Sequence, residues 1–168
     1  MLLNLYKNKR VLITGHTGFK GSWLTMWLLK LGAQICGISN KIPTNPSMFE
    51  QLNLNKKIDH HFIDVRNLND LQEVIIKFRP NFIFHLAAQA IVSESYEKPL
   101  DTIATNVIGT TNMLETLRNI KHKCTAVIIT SDKCYENVEW EYGYKETDHL
   151  GGKDIYSASK GAAEIIFH

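Results

Sequence analysis

Val11-Leu12-Ile13-Thr14-Gly15-His16-Thr17-Gly18-Phe19-Lys20-Gly21-Ser22-Trp23 decides how the rest of the chain is read. The apolar triplet at 11–13 predicts a short buried strand behind Lys9-Arg10. Gly15, Gly18 and Gly21 follow that strand and open a helix. The first glycine permits a tight turn, the second lets a pyrophosphate approach the backbone, and the third lets helix and strand pack closely. The helix amino terminus then offers free N–H groups and a partial positive charge to phosphate. Trp23, Leu24, Trp27, Leu28 and Leu31 lie at helical spacing, and Gly32 stops the helix. Placement between strand and helix favours a nucleotide cradle over a bare tight turn.

Working outward, strand and helix patterns alternate. Gln34-Ile35-Cys36-Gly37-Ile38 predicts a second strand, and residues 39–47, with Pro43 and Pro46, a loop. His60-His61-Phe62-Ile63 predicts a third strand ending at Asp64. Asn67 can cap a helix carrying Leu71, Val74, Ile75 and Phe78 and ending at Pro80. Phe82-Ile83-Phe84-His85-Leu86 predicts a fourth strand. Ile103, Val107, Thr110, Leu114 and Leu117 share one face of a long helix, and Ala126-Val127-Ile128-Ile129 predicts a fifth strand. Residues 136–154 read as loop, and a last helix starts near Tyr156 and runs to His168. Such alternation implies an α/β fold, a Rossmann-type doubly wound parallel sheet with a crevice at the carboxyl ends of its strands. Thr14, Asp64, Ala87-Ala88-Gln89 and Ser131-Asp132 all fall at those ends. No linker or repeat interrupts the pattern, so residues 1–168 read as one NAD(P)-binding domain.

The usual acid that binds the adenosine ribose, about twenty residues past the glycines, is missing. The second strand ends in Ser39-Asn40-Lys41. Serine and asparagine can bond hydroxyls, and Lys41 can attract a 2′-phosphate, so NAD and NADP both stay open. Asp64 suits either an adenine amino group or a helix cap. His16 either meets phosphate or faces water. Asn106, mid-helix, either braces a backbone group near the site or faces solvent.

The second informative stretch is Ile129-Thr130-Ser131-Asp132-Lys133-Cys134-Tyr135, followed by Tyr156-Ser157-Ala158-Ser159-Lys160. Tyr156 and Lys160, four apart, share a helix face. A nearby ammonium favours tyrosinate, so Tyr156 can take a hydroxyl proton as hydride leaves the same carbon. Lys160 can also hold the nicotinamide ribose, and Ser131 can bond the reacting oxygen. Hydride transfer needs no further acid or base. Asp132-Lys133 beside an oxidised carbon therefore suits elimination, against the plainer reading of a surface ion pair.

Composition excludes several classes. The 168 residues, 44% hydrophobic and 21% charged, are those of an ordinary globular domain. A net charge of +2, from 19 basic and 17 acidic side chains, argues against nucleic-acid or acidic-membrane binding. No apolar run is long enough for a membrane span. The start, Met1-Leu2-Leu3-Asn4-Leu5-Tyr6-Lys7, does not read as a signal peptide. The three cysteines have no paired spacing and suggest reduced thiols in a cytoplasm. His60-His61 and Cys134 are not at zinc spacing, so no metal site is expected.

These motifs resemble the extended short-chain dehydrogenases/reductases of the sugar-nucleotide class. The loop at 15–23, His85-Leu86-Ala87-Ala88-Gln89, Thr105-Asn106-Val107-Ile108-Gly109-Thr110 and Thr130-Ser131-Asp132-Lys133-Cys134-Tyr135-Glu136-Asn137 are similar to the CDP-glucose 4,6-dehydratases. Gly143-Tyr144-Lys145-Glu146 and Gly151-Gly152-Lys153-Asp154 continue the match. The related dTDP-sugar dehydratases carry Asp-Glu in place of Asp132-Lys133. One departure is Ile155, where the family usually has proline.

The resemblance implies NAD as cofactor and CDP-glucose as substrate. The sugar is oxidised at C4 with Tyr156 as base, loses water across C5 and C6, and is reduced at C6. Asp132 is implied as the acid at the C6 hydroxyl and Lys133 as the C5 base. The candidate catalytic residues are Ser131, Asp132, Lys133, Tyr156 and Lys160. The candidate cofactor contacts are Gly15, His16, Thr17, Gly18, Phe19, Gly21, Ser39, Asp64, Val65, Leu86, Ala87, Ala88, Gln89 and Asn106, with Tyr156 and Lys160 again. Family members are about twice this long, with a carboxyl-terminal substrate domain that is absent here. The expectation is a chain that keeps the nucleotide fold, does not turn over alone, and forms homo-oligomers or pairs with the missing half. The alternatives are a sugar-nucleotide epimerase or reductase, which needs no eliminating acid, and a non-catalytic nucleotide-binding module.

Overall fold

In a computed structural model, described over residues 4–167, five parallel strands lie in the order β3-β2-β1-β4-β5. They are β1 (Arg10–Thr14), β2 (Gln34–Ser39), β3 (Asp59–Phe62), β4 (Phe82–His85) and β5 (Thr125–Ile128). The readings of the first three residues and of His168 fall outside the described residues. The helices are α1 (Phe19–Lys30), α2 (Met48–Gln51), α3 (Leu68–Phe78), α4 (Val92–Glu97), α5 (Pro99–Ile103), α6 (Gly109–Asn119) and α7 (Ile155–Phe167). Among the described residues no helix is long and apolar enough to cross a membrane.

Alternate residues of a strand point to opposite faces, so the core has two layers. On one face Leu12, Cys36, Ile38 and Ile83 pack with Leu71 and Ile75 of α3 and Met113 of α6. On the other, Val11, Ile13 and Ile35 pack with Leu28 of α1. The second layer thins toward β5, where Val127 and Ile129 are exposed. Burying strands on both faces explains their continuous apolar runs.

Two helices differ from the spacing argument. In α1 the buried residues are Gly21, Ser22, Thr25 and Leu28, while Trp23 and Trp27 are 57% and 64% exposed. Small side chains let α1 lie close to the sheet, so the tryptophans face away from it. The long helix is really α5, a π-helical turn (Ala104–Ile108) and α6. That turn inserts an extra residue and moves the buried stripe to Thr102, Asn106, Thr110 and Met113. Ile103 is therefore on the exposed side.

Start and stop signals behave as their chemistry demands. The Asn67 side chain accepts from Asp70 N at 3.4 Å and caps α3. Gly32 holds φ +79°, the left-handed turn that ends α1. The departure at Ile155 leaves α7 well started, because Asp154 accepts from Ser157 N at 2.9 Å and from Ser157 Oγ at 2.7 Å. Pairing of β2 with β3 also sets Asp59 opposite Cys36, and His61 follows two residues on, a grouping that no sequence spacing announces.

Candidate functional site

The glycine turn is built as its spacing predicts. Gly15 has φ +75°, and a Cβ there would lie 2.9 Å from Ala87 N. At Gly21 a Cβ would come within 2.1 Å of Gly15 O, so this glycine presses the helix onto the turn. Gly18 differs: a Cβ there would meet just one nearby atom, Gly15 O at 3.4 Å. The space over Gly18 is open to a ligand. Gly18 is also the N-cap of α1, with no side-chain cap bond and no acid in the first turn. An uncapped helix start beside an open glycine fits a pyrophosphate, and Phe19, 73% exposed, stands at the rim.

His16 neither faces water nor keeps a free ring nitrogen for phosphate. It is fully buried, with Nε2 2.8 Å from His60 Nδ1 and Nδ1 3.1 Å from Ser39 Oγ. Its ring lies where a Cβ on residue 37 would be, which explains Gly37. Burial pushes its pKa down to about 4, so it is neutral. Any contact from residue 16 to a ligand is through backbone.

The end of β2 is similarly committed. Ser39 Oγ is held by His16, and Thr17 Oγ1 donates to Lys41 O at 2.7 Å. Asp64 does not cap α3. Its carboxylate takes the Arg66 guanidinium at 2.7 Å and the Arg66 amide at 2.9 Å. The Arg66 bonds, assisted by Asn40, hold the Asp64 pKa below its ordinary value. Val65 is buried against Gly109, where a Cβ would meet its Cγ2 at 2.7 Å.

At the end of β4, Ala87 N donates to Thr14 Oγ1 at 3.1 Å. Gln89 N donates to Asn106 Oδ1 at 2.8 Å, and Asn106 Nδ2 returns a bond to Gln89 O at 3.0 Å. Asn106 thus braces the 86–89 backbone rather than facing solvent. Its Nδ2 also reaches Ser159 Oγ of α7 at 2.8 Å.

Tyr156 and Lys160 are both buried, with Lys160 Nζ 5.9 Å from the centre of the Tyr156 ring. Burial lowers the Lys160 pKa, opposed by Cys134 and aided by Lys20 of the glycine turn. Ser131 caps a 3₁₀ turn (Asp132–Cys134), accepting from Lys133 N at 3.2 Å and donating to Asp132 Oδ1 at 2.9 Å. Asp132 and Lys133 stand exposed at its tip. A groove of about 520 Å³ runs between this turn and the start of α7, lined by Asp132, Lys133, Tyr135, Tyr144, Asp154 and Ser157.

Several residues that hold this arrangement escaped the sequence reading. Gly161 lets the turn touch α7, since a Cβ there would lie 3.3 Å from Cys134 O. Thr130 Oγ1 donates to Glu164 Oε1, tying the end of β5 to α7. His85 is fully buried between Thr14 Oγ1 at 2.8 Å and Thr110 Oγ1 at 3.4 Å. Burial, then the nearby Lys160 charge, pushes the His85 pKa down to about 4. A histidine inside an apolar strand was the available signal for it.

An uncapped glycine turn, a tyrosine–lysine helix and a serine-capped turn at the strand ends define a short-chain dehydrogenase/reductase of the extended type. The sequence pattern of the GDP-mannose 4,6-dehydratase family matches residues 12–168, and the chain belongs to that family. It is 48% identical over 163 residues to CDP-glucose 4,6-dehydratase of Salmonella typhimurium, covering 97% of this chain and 45% of that protein. It is 31% identical to CDP-paratose 2-epimerase of Salmonella typhi, over 92% of this chain and 51% of that protein. The UDP-glucose 4-epimerase of Thermus thermophilus, solved with NAD, superposes with a TM-score of 0.81 at 30% identity, covering 94% of this chain and 49% of that one. The chain spans about half the length of the curated relatives it matches.

Proposed function

We propose that this chain is the NAD-binding and catalytic half of a sugar-nucleotide 4,6-dehydratase whose substrate is CDP-glucose. The observation that carries this reading is the packing of the Ser131-Asp132-Lys133 turn against the helix bearing Tyr156 and Lys160. The 48% identity to a CDP-glucose 4,6-dehydratase supports the choice of nucleotide.

Gly18 and the start of α1 would hold the pyrophosphate of a bound dinucleotide, and Asp64 and Val65 would meet its adenine. The superposition on an epimerase solved with NAD supports NAD over NADP. NAD, when bound, would supply reversible hydride storage.

The chain supplies the proton chemistry. Tyr156 takes the C4 hydroxyl proton, with Lys160 Nζ 5.9 Å from the centre of its ring. Ser131 bonds the C4 oxygen. Once C4 is a ketone, the C5 proton is acidified and Lys133 receives it, directly or through water. Asp132 donates to the departing C6 hydroxyl. Exposed placement of Asp132 and Lys133 suits groups that must meet a substrate arriving from outside.

The test combines binding with product mass. Purified protein is titrated with NAD⁺ by tryptophan fluorescence, then incubated with CDP-glucose, alone and with a carboxyl-terminal region from a relative supplied in trans. NAD binding, and a product lighter by one water when that region is present, support the reading. A product of unchanged mass would support an epimerase instead, and absence of NAD binding would refute both.

A further inference from the structure

A second cluster of reactive side chains lies on the edge pair of strands, β2 and β3. Asp59 opens β3, and its register partner is Cys36 in β2. His61, two residues along β3, points to the same face, and His61 Nε2 lies 3.0 Å from Asp59 Oδ1. The donor atoms of Cys36, Asp59 and His61 all fall within 4.8 Å of one another. Asp59 and His61 line a groove that none of the residues of the glycine turn or of the Ser131–Lys133 turn line, and the proposed reaction does not use the cluster.

We propose that Cys36, Asp59 and His61 form a binding site for a zinc-class divalent ion at the outer edge of the sheet. A thiolate, an imidazole and a carboxylate are a zinc ligand set, and the sulfur and nitrogen disfavour magnesium and calcium. Donor atoms around tetrahedral zinc lie about 3.5 Å apart. The Asp59–His61 pair is already that close, and Asp59 is exposed. Cys36 is fully buried and held by both neighbouring strands, so the sulfur is a fixed anchor.

The open side faces a groove of about 560 Å³ that is lined by Asp59 and His61, with Asp70 and Glu73 of α3 opposite. Those two carboxylates offset the positive charge of Lys77 and Arg10 in the same groove. Water from the groove completes the coordination. In binding, the S–H bond of Cys36 breaks, its proton leaves to solvent, and a sulfur–metal bond forms with no change of oxidation state. One thiolate and one carboxylate neutralise the ion. The bound ion would pin the edge strand β3 to β2.

The experiment uses the whole chain, reduced and metal-free, titrated with Co²⁺ and followed by absorption spectroscopy. The expected result is one equivalent bound, with visible bands of four-coordinate cobalt and a near-ultraviolet sulfur-to-cobalt charge-transfer band. Zn²⁺ should then displace the cobalt and bleach both. Asp59 is exposed and His61 half-buried, and neither belongs to the core clusters; Asp59→Asn and His61→Ala should each weaken binding by at least about tenfold. Cys36→Ser should remove the charge-transfer band. The proposal is overturned if wild-type protein gives no charge-transfer band. It is equally overturned if the Asp59→Asn and His61→Ala variants bind cobalt as the wild type does, which would mark adventitious binding at other histidines.

Discussion

Asn106 and Ser159, 53 positions apart, are joined by a 2.8 Å hydrogen bond inside the protein. Through it the π-helical turn that braces residues 86–89 also grips the helix that carries Tyr156 and Lys160. Ser159 Oγ donates in turn to Tyr156 O at 2.6 Å. One buried amide therefore ties the floor of the cradle to the tyrosine–lysine helix.

Replacing that amide should be costly. Asn106→Ala removes three hydrogen bonds and leaves the Gln89 amide and carbonyl without their partners. A loss of about 2–4 kcal/mol in urea unfolding is expected, with weaker NAD binding in the fraction that remains folded. A loss below about 1 kcal/mol would show that water replaces the amide.

The glycines should separate by role. Gly21→Ala forces a Cβ to 2.1 Å from Gly15 O, and about 1–3 kcal/mol of stability should be lost. Gly18→Ala meets one atom at 3.4 Å and should alter stability by no more than about 1 kcal/mol. It should nevertheless weaken NAD binding by about tenfold or more, since its methyl stands where the pyrophosphate must approach. Fluorescence titration and urea melts on both variants check the contrast, and equal effects on both measurements would contradict it.

Acid should destabilise the protein in a definite window. His16 and His85 have their folded pKa values depressed from 6.5 to about 4 by burial. The denatured chain therefore binds protons first. Their contribution is complete above the unfolded pKa of 6.5 and is lost as pH falls through about 4, up to about 3 kcal/mol for each. Asp64, depressed by Arg66, acts in a lower window, below its ordinary 3.8. Urea midpoints measured between pH 7 and pH 4 should fall steadily, and a flat profile would mean these histidines are not buried as neutral rings.

Lys160 should show opposed demands of stability and chemistry. Its ammonium is buried and enters none of the ion pairs found among the described residues. Lys160→Met removes a desolvated charge and keeps the aliphatic volume. Thermal stability should rise by about 1 kcal/mol, while any turnover is lost. A fall in stability would show that the ammonium has a strong internal partner.

Much of the fold was legible because short-range chemistry governs it. Alternation of apolar runs with helical spacing locates all five strands, and the glycine at 15 needs its positive φ whatever surrounds it. Asn106 was legible as an anomaly, a poor helix former in a helix. His16 was not, because a histidine beside a phosphate loop looks functional, and its burial arises from Phe49 of α2 and from His60, which β2–β3 pairing brings alongside. On the α5–α6 helix Thr110 and Leu117 do face the core, but Ile103 was misplaced because a π turn shifts register without a marker in residue type.

The sequence alone determined which segments are strands, where the helices after Gly18 and Asn67 begin, and that Thr14 and Ser131 follow strands, since each depends on neighbours a few positions away. Only the tertiary structure decided that Asn106 would meet Ser159, that His85 would be buried between two threonines, and that Cys36 would lie beside Asp59 and His61. Those contacts join residues tens of positions apart, and their partners follow from strand order and helix packing, which no local pattern specifies.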